Sequence, residues 1–589
     1  MSISGPLLTT GRVPRVGHRL ALAASLVLIA ASTLFKTRGN DIWWHIRTGQ
    51  WIWEHGALPV SDPFSHTFQG APWHNVDWLA QLSFFGLHRL GGIEAVVWAK
   101  SLLVLATLAL LAGWLGLWRR QPAAENRIAL GPAVLVLCLA AVAMHFRLVL
   151  KPALFSLLAF SALFGLLRSV RDRGQWMRLL SIPPLVLLWA NLHRGAPLAL
   201  ALLAAAIAAS GIQRRRRGLL LPLGLVGLAS AGALLLNPSG SYIVTSLLRE
   251  SVTQVQPTAD WSPLALDLPW LSIPVFLGLA AAWAAGWAVR RRRLDFATLV
   301  VLGCTLLAFK AVRFIPYAVI AMVPGLAADA SSLSRRIAAR LASRVRPGVW
   351  QALLGGIGWA ALIQASLISY PPGVRGPGLA RWLLPVDAAR FIAAHPPPGP
   401  MWNPLDFGGY LLFRLAPEIP VFIDGRSDTV YPRRFFFETI EAGSSYPVLA
   451  RQLERHAIGF AVLDARPQRR AGLRPLFRDP DWVLVYWDDL CAIMVRRTPA
   501  ASAYLDRFGF RQLRVGTALP RLLNRAAAPE RSELARDILA NLQRAPRSIW
   551  ARVLAMLLFR VQGRDAAERE QRRIIDALAA ERGLVLDLP

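Results

Sequence analysis

Residues 77–90 read DWLAQLSFFGLHRL, and how this stretch meets the membrane decides the threading of the whole chain. A helical crossing of the bilayer needs roughly 20 mostly apolar residues, and this segment is too short for one. Counted as a span, it would also invert every later loop and move the arginine blocks to the opposite face. It reads instead as an interfacial or re-entrant helix lying under a long first external loop. Trp73, Trp78, Phe84 and Phe85 suit the headgroup layer.

Outward from that segment the chain is dominated by apolar runs, at 19–36, 93–117, 128–146, 152–168, 178–193, 196–212, 218–236, 270–289, 295–311, 314–330 and 349–369. The runs are long and do not alternate, so helices are the spanning structure and a β-barrel is not. Of the 589 residues, 54% are hydrophobic, and the mean hydropathy is +0.41. The expected fold class is an α-helical polytopic membrane protein with about eleven transmembrane helices.

The net charge of +31 is not a nucleic-acid signal, because its arginines form short blocks between apolar runs. Arg119/Arg120/Arg127, Arg168/Arg171/Arg173/Arg178, Arg214 to Arg217, Arg290 to Arg293 and Arg335/Arg336/Arg340/Arg344/Arg346 occupy alternate gaps. The positive-inside rule then puts the N-terminus in the cytoplasm and the C-terminal region outside. Arg12, Arg15 and Arg19 precede the first run, which carries no small-residue cleavage site and reads as an uncleaved helix. The high Arg and Ala content fits a bacterial inner membrane. Cys138, Cys304 and Cys491 are too scattered for a disulfide framework or a zinc site.

The first external loop, 37–92, carries most of the functional information. Residues 41–55 read as a short helix beginning at Asp41, with His45 four residues on and able to share its face. Trp43, Trp44, Trp51 and Trp53 would anchor it at the headgroups. Asp62 follows in SDPFS, then His74 and Asp77 in PWHNVDWL.

This order resembles the GT-C superfamily of membrane glycosyltransferases, which includes lipid A aminoarabinose transferase, the protein O-mannosyltransferases and lipopolysaccharide-core galacturonosyl transferases. Asp41, the 41–55 helix, Gly70-Ala71-Pro72, Trp78-Leu79 and Gly91-Gly92 match in sequence the acid, first juxtamembrane helix, Gly-x-Pro turn, second juxtamembrane helix and small-residue turn of that family. The resemblance covers roughly 1–370 and implies a GT-C-like transmembrane domain there.

The resemblance further implies an inverting transferase that takes a sugar from a polyprenyl-phosphate donor at the outer face. The acceptor would be a lipid, glycan or protein of the envelope, and membrane lipids would surround the chain. In the family an external-loop carboxylate activates the acceptor or holds a divalent metal ion. Asp41 stands in that position as the general base, with His45, Asp62, His74 and Asp77 as substrate-binding candidates. Cations at the external helix ends would stabilise the leaving phosphate. The available ones are Arg147 and Lys151 in HFRLVLKP, Arg194 beside His193 in NLHRG, and Lys310 and Arg313 in FKAVRF.

The chain departs from the family in its acids: the usual paired acids of the first loop are absent, since Asp41 follows Asn40. Many relatives carry a second acid after helix three, where Arg147 to Pro152 holds no carboxylate. Two other readings therefore stand beside the transferase: a non-catalytic GT-C-like scaffold for envelope assembly, and a transporter or flippase of lipid-linked intermediates. The latter would show internal repeats and broken helices, and no convincing repeat is present.

After the linker YPPGVRGPG, residues 371–498 read as an extracytoplasmic α/β domain and 499–589 as a helical, tetratricopeptide-like tail. Val421 to Ile423 and Phe460 to Leu463 read as buried strands, and 482–495 as a hairpin about Asp488-Asp489. The FIDGRSD segment, with an Asp and an Arg flanking a glycine at a strand end, reads either as a binding loop or as a turn with a salt bridge, the turn being favoured, and LDFGGYL is not a dinucleotide fingerprint. Asp260 in ADWSP lies in an external loop.

Overall fold

The computed structural model describes residues 15–37, 39–118, 128–245, 263–264, 271–289, 294–341, 345–467, 472–515 and 528–586. Asp260 and several of the arginines used for orientation lie outside them. The described chain divides into two compact units, Met1–Phe35 with Val97–Ser369, and Lys36–Val96 with Tyr370–Pro589.

The first unit is a helical bundle. Each apolar run of the sequence coincides with a helix, from Arg15–Ala31 through 93–114, Leu130–Met144 and Ala153–Ser169 to Ile315–Arg340 and Pro347–Ser369. Among the described residues, 6 helices are long and apolar enough to cross a membrane, and four shorter ones are apolar. Small residues let the helices close: a side chain on Gly131 would overlap the Gln351 carbonyl, and one on Gly358 would meet Leu135 Cα at 2.9 Å. Helices 130–144 and 347–369 thus pack backbone to backbone, and Gln351 accepts from the Gly131 N–H at 3.0 Å.

The helix over Trp78–Trp114 is two helices. Gly91 (φ −158°, ψ 33°) and Gly92 (φ 64°, ψ −163°) break it, the second in a left-handed conformation that favours glycine. The 77–90 segment is therefore a separate short helix rather than the beginning of a crossing.

The second unit joins the first loop to the C-terminal region. The sequence reading places 37–92 with the membrane domain and separates 371–498 from 499–589; in the structure these segments fall within one compact unit. Its sheet has the order β1-β2-β4-β3, with β1 at Met401–Trp402, β2 at Phe460–Asp464, β3 at Trp482–Trp487 and β4 at Cys491–Arg496. β1 and β2 run parallel and the other pairs antiparallel. Residues 421–423 are not a strand of this sheet. They are fully buried, and Val421 bridges in parallel to Ser65 of the loop.

The physical reason for the shared unit is a set of partly buried hydrogen bonds and ring contacts spanning more than 300 positions of sequence. Thr67 donates to the Phe422 carbonyl at 2.7 Å, and Arg47 to the Ala416 carbonyl at 2.7 Å. Trp43 packs edge-on against Tyr410 at 5.0 Å. Tail helices 528–544, 549–561 and 565–582 belong to the same body. Asn541 brackets Trp487 by accepting from its N–H at 3.0 Å and donating to its carbonyl at 2.9 Å. Asp489 accepts from the Ile549 and Trp550 N–H groups and from Arg582.

Candidate functional site

In the second unit, Asp41 opens helix Asp41–His55 and Asn40 occupies the N-cap position without a side-chain cap bond. The carboxylate is half-buried in the first turn, where the helix dipole favours negative charge. The second juxtamembrane helix packs against the first at Gly49, where any side chain would overlap the Gln81 backbone carbonyl. Gln81 is fixed in turn by a reciprocal amide pair with Asn75, at 2.8 and 2.7 Å.

Two glycine motifs of the C-terminal region have their explanation here. A side chain on Gly409 would overlap the Asn40 carbonyl, and one on Gly408 would overlap the Ile423 carbonyl. The LDFGGYL pair therefore serves close packing at the base of the Asp41 helix. Gly425 of FIDGRSD does more. A Cβ there would lie 2.7 Å from Asp41 Oδ1 and 2.9 Å from Trp44 Nε1. Asp41 and the Trp44 indole thus border one small notch that exists because residue 425 has no side chain. The indole N–H groups of Trp43 and Trp44 are buried without a hydrogen-bond partner among the described residues.

The other loop candidates are placed as follows. His45 is buried, its ring 3.6 Å from that of Trp44 and edge-on to Phe84. His74 is exposed and Asp77 is buried. Asp62 is 1% exposed and accepts from Arg426 at 2.5 Å, from the Phe64 N–H at 2.8 Å and from the Ser65 hydroxyl. Its oxygens are thereby committed to the interior of the unit. Arg426 also forks onto Asp424, from Nε at 2.9 Å and from Nη2 at 2.7 Å. Tyr431 donates to Asp424 at 2.6 Å. Burial alone would lower the Arg426 pKa, but Asp424, Tyr431 and Asp62 hold it well above its usual value. Burial and the neighbouring Asp424 raise the Tyr431 phenol likewise. Trp73 and Phe64 cover the guanidinium at 4.8 and 5.2 Å.

In the first unit a polar cluster forms at the helix turns that the sequence assigned to the external side. Trp189 donates to Ser156 Oγ at 2.6 Å, and Ser156 meets His193 Nδ1 at 2.6 Å. The Gly195 backbone N–H also points at Nδ1, at 3.1 Å. A backbone N–H can only donate, so Nδ1 is the acceptor and Nε2 carries the ring proton. The imidazole is held neutral and presents an N–H donor. Tyr317 is buried beside Ser156, close enough for the charges of Arg313 and Arg147 to act on its hydroxyl. The structure therefore brings Arg147, His193 and Arg313 into one neighbourhood through Ser156 and Tyr317. Arg147 is buried, Lys151, Arg194 and Arg313 half-buried, and Lys310 exposed.

Sequence reasoning passed over Ser156, Trp189 and Tyr317, which look like ordinary helix residues. It also passed over Lys100, 1% exposed within helix 93–114, its ammonium 3.3 Å from the centre of the Phe35 ring. The available signal was a lone lysine in AVVWAKSLLVLATLALLAGW, since a charge inside an apolar span is seldom idle. Among the described residues no group of three or more His, Cys, Asp or Glu side chains could hold a metal ion.

No protein-family model matches the chain, and neither does any curated protein. Solved structures do match. The fold is similar to that of the Archaeoglobus fulgidus oligosaccharyltransferase. The oligosaccharyltransferase of Archaeoglobus fulgidus in the apo form is similar over 77% of this chain and 70% of its own, with a TM-score of 0.50 and 11% identity. The same enzyme tethered to an acceptor peptide containing the NVT sequon covers 82% of this chain and 74% of its own, at a TM-score of 0.51 and 12% identity. ArnT from Cupriavidus metallidurans bound to undecaprenyl phosphate covers 82% and 98%, with a TM-score of 0.46 and 14% identity.

Proposed function

We propose that this protein is a membrane glycosyltransferase that moves a sugar from a polyprenyl-phosphate donor to an envelope acceptor on the outer face of a bacterial inner membrane, with inversion at the anomeric carbon. The observation that carries the reading is Asp41. It is a half-buried carboxylate at a helix N-terminus, beside a notch kept open by Gly425, in a chain of GT-C fold. As general base it would take the proton of the acceptor nucleophile. Arg147 and Arg313 would stabilise the departing phosphate, and the neutral His193, fixed with its N–H on Nε2, would add a hydrogen bond to it. His45 and His74 are further substrate contacts from the loop, while Asp62 supports the unit from within.

A second reading, a non-catalytic scaffold of the same fold, is favoured by one feature. Residues 145–152 supply cations and no second carboxylate. The two readings separate by mass spectrometry of lipids co-purified with the wild type and with Asp41→Asn. The transferase reading expects a polyprenyl phosphate or its glycosylated form, the latter enriched in the variant. Bulk phospholipid alone in both preparations would reject it in favour of the scaffold.

A further inference from the structure

The bundle has a second polar feature, where helices 153–169 and 198–212 end and helix 296–310 begins. A cavity of about 760 Å³ opens there, lined by Arg168, Arg171, Arg216, Asp295, Gln175 and Trp114 among others. Pockets of this size hold a small ligand rather than single waters. The lining carries three guanidinium groups and one carboxylate, a formal balance of 3 − 1 = +2. That carboxylate is already engaged, since Asp295 caps helix 296–310 by accepting from the Thr298 N–H at 2.8 Å.

The cavity is rich in donors and poor in acceptors. Arg216 donates from Nη2 to the Val170 carbonyl, yet its Nε–H is buried without a hydrogen-bond partner among the described residues. The buried Trp114 indole N–H likewise has no partner among the described residues. Its ring lies flush on Gly165, where any side chain would overlap it, so the indole's place in the wall depends on that glycine. Unsatisfied buried donors are costly, and a guanidinium fork is the preferred partner of a tetrahedral oxyanion.

We infer that this cavity is a binding site for a phosphate-bearing ligand, at the end of the bundle that the charge pattern assigns to the cytoplasm. A phospholipid headgroup and a soluble phosphate share the required chemistry. The inference uses neither Asp41 nor the His193 cluster, so it stands or falls apart from the proposed transferase activity.

Native mass spectrometry of the full chain in detergent tests it, with phosphatidylglycerol and inorganic pyrophosphate as probes and diacylglycerol as the phosphate-free control. The double variant Arg171→Ala/Arg216→Ala should weaken binding by about tenfold or more, the scale of losing a charge-assisted hydrogen bond. Asp295→Asn keeps a capping side chain and removes the competing charge, so it should tighten binding, a gain that misfolding cannot imitate. A response confined to phosphatidylglycerol identifies the lipid as the source, and a response to both probes shows that the phosphate group alone suffices. Equal affinities in wild type and both variants, or equal retention of diacylglycerol, would overturn the site.

Discussion

The second unit contains the same clip twice, and the two copies behave differently. Asp424-Gly425-Arg426 follows the buried segment 421–423, and Asp464-Ala465-Arg466 spans the end of β2. In each, the arginine folds back on the aspartate two residues earlier, with the backbone N–H, Nε and Nη2 all donating to the carboxylate. The local chemistry is the same. The Arg466 side chain, however, is 42% exposed, whereas those of Arg426, Asp424 and Asp62 are all 0%. One clip closes a strand end, its Asp464 buried and its arginine open to water. The other, joined by Asp62, pins the first loop to the C-terminal region and holds Gly425 under Asp41. What a short motif does is set by its burial and by its third partner, and neither is visible in the motif.

The largest expected effect breaks the buried clip. Arg426→Ala leaves Asp62 and Asp424 uncompensated in the interior, which costs about 3–5 kcal/mol. Hydrogen exchange should show protection lost together around residues 62–73 and 421–431. Loss confined to one of the two segments would contradict the account.

Gly425→Ala comes next. Its φ is not in the left-handed region, so the penalty is steric crowding of Asp41 and Trp44, about 1–3 kcal/mol by the cost of overpacking. Product formation in membranes should fall out of proportion to the loss of folded protein, with both measured on the same preparation.

Asp488 sharpens the comparison as a half-buried carboxylate whose hydrogen bonds come from Tyr486, Leu490 and Cys491. Burial pushes its pKa up to about 6. Its folded form holds the proton more tightly than its unfolded form. Its stabilising contribution is therefore full below the ordinary aspartate pKa and is lost as pH rises through about 6. Exchange protection of the 482–496 hairpin, corrected for intrinsic rates, should fall between about pH 4 and 6, and Asp488→Asn should flatten that slope.

A smaller effect is expected from Arg466→Ala, which leaves the buried Asp464 with the residue-466 backbone N–H but without the half-exposed guanidinium, at a cost of about 1–2 kcal/mol. Thermal unfolding of the full chain should shift by less than for Arg426→Ala.

The helices were legible in the sequence because membrane burial writes itself as long apolar runs, and the arginine blocks bracket them. The break at Gly91-Gly92 was legible for a similar reason, since a fourteen-residue segment is too short to cross. The hairpin about Asp488-Asp489 followed from its β-branched and aromatic residues. The association of the first loop with the C-terminal region was not legible. It depends on single contacts such as Asp62 to Arg426, which lie 364 positions apart. Asp62 was read as a substrate residue because an acid in an external loop looks available until its burial is known. Ser156, Trp189 and Tyr317 were missed for the opposite reason, because isolated polar residues in apolar helices carry no pattern until the helices close around them.

The most direct test of the transferase account is lipid analysis of cells lacking this protein, complemented with wild type or with Asp41→Asn at equal membrane abundance. The account predicts that a glycosylated polyprenyl phosphate accumulates in the deletion strain, disappears with the wild type and persists with Asp41→Asn, since removing a general base lowers turnover by about 10²–10⁴-fold. Clearance of that lipid by Asp41→Asn as complete as by the wild type would remove Asp41 from the mechanism and contradict the account.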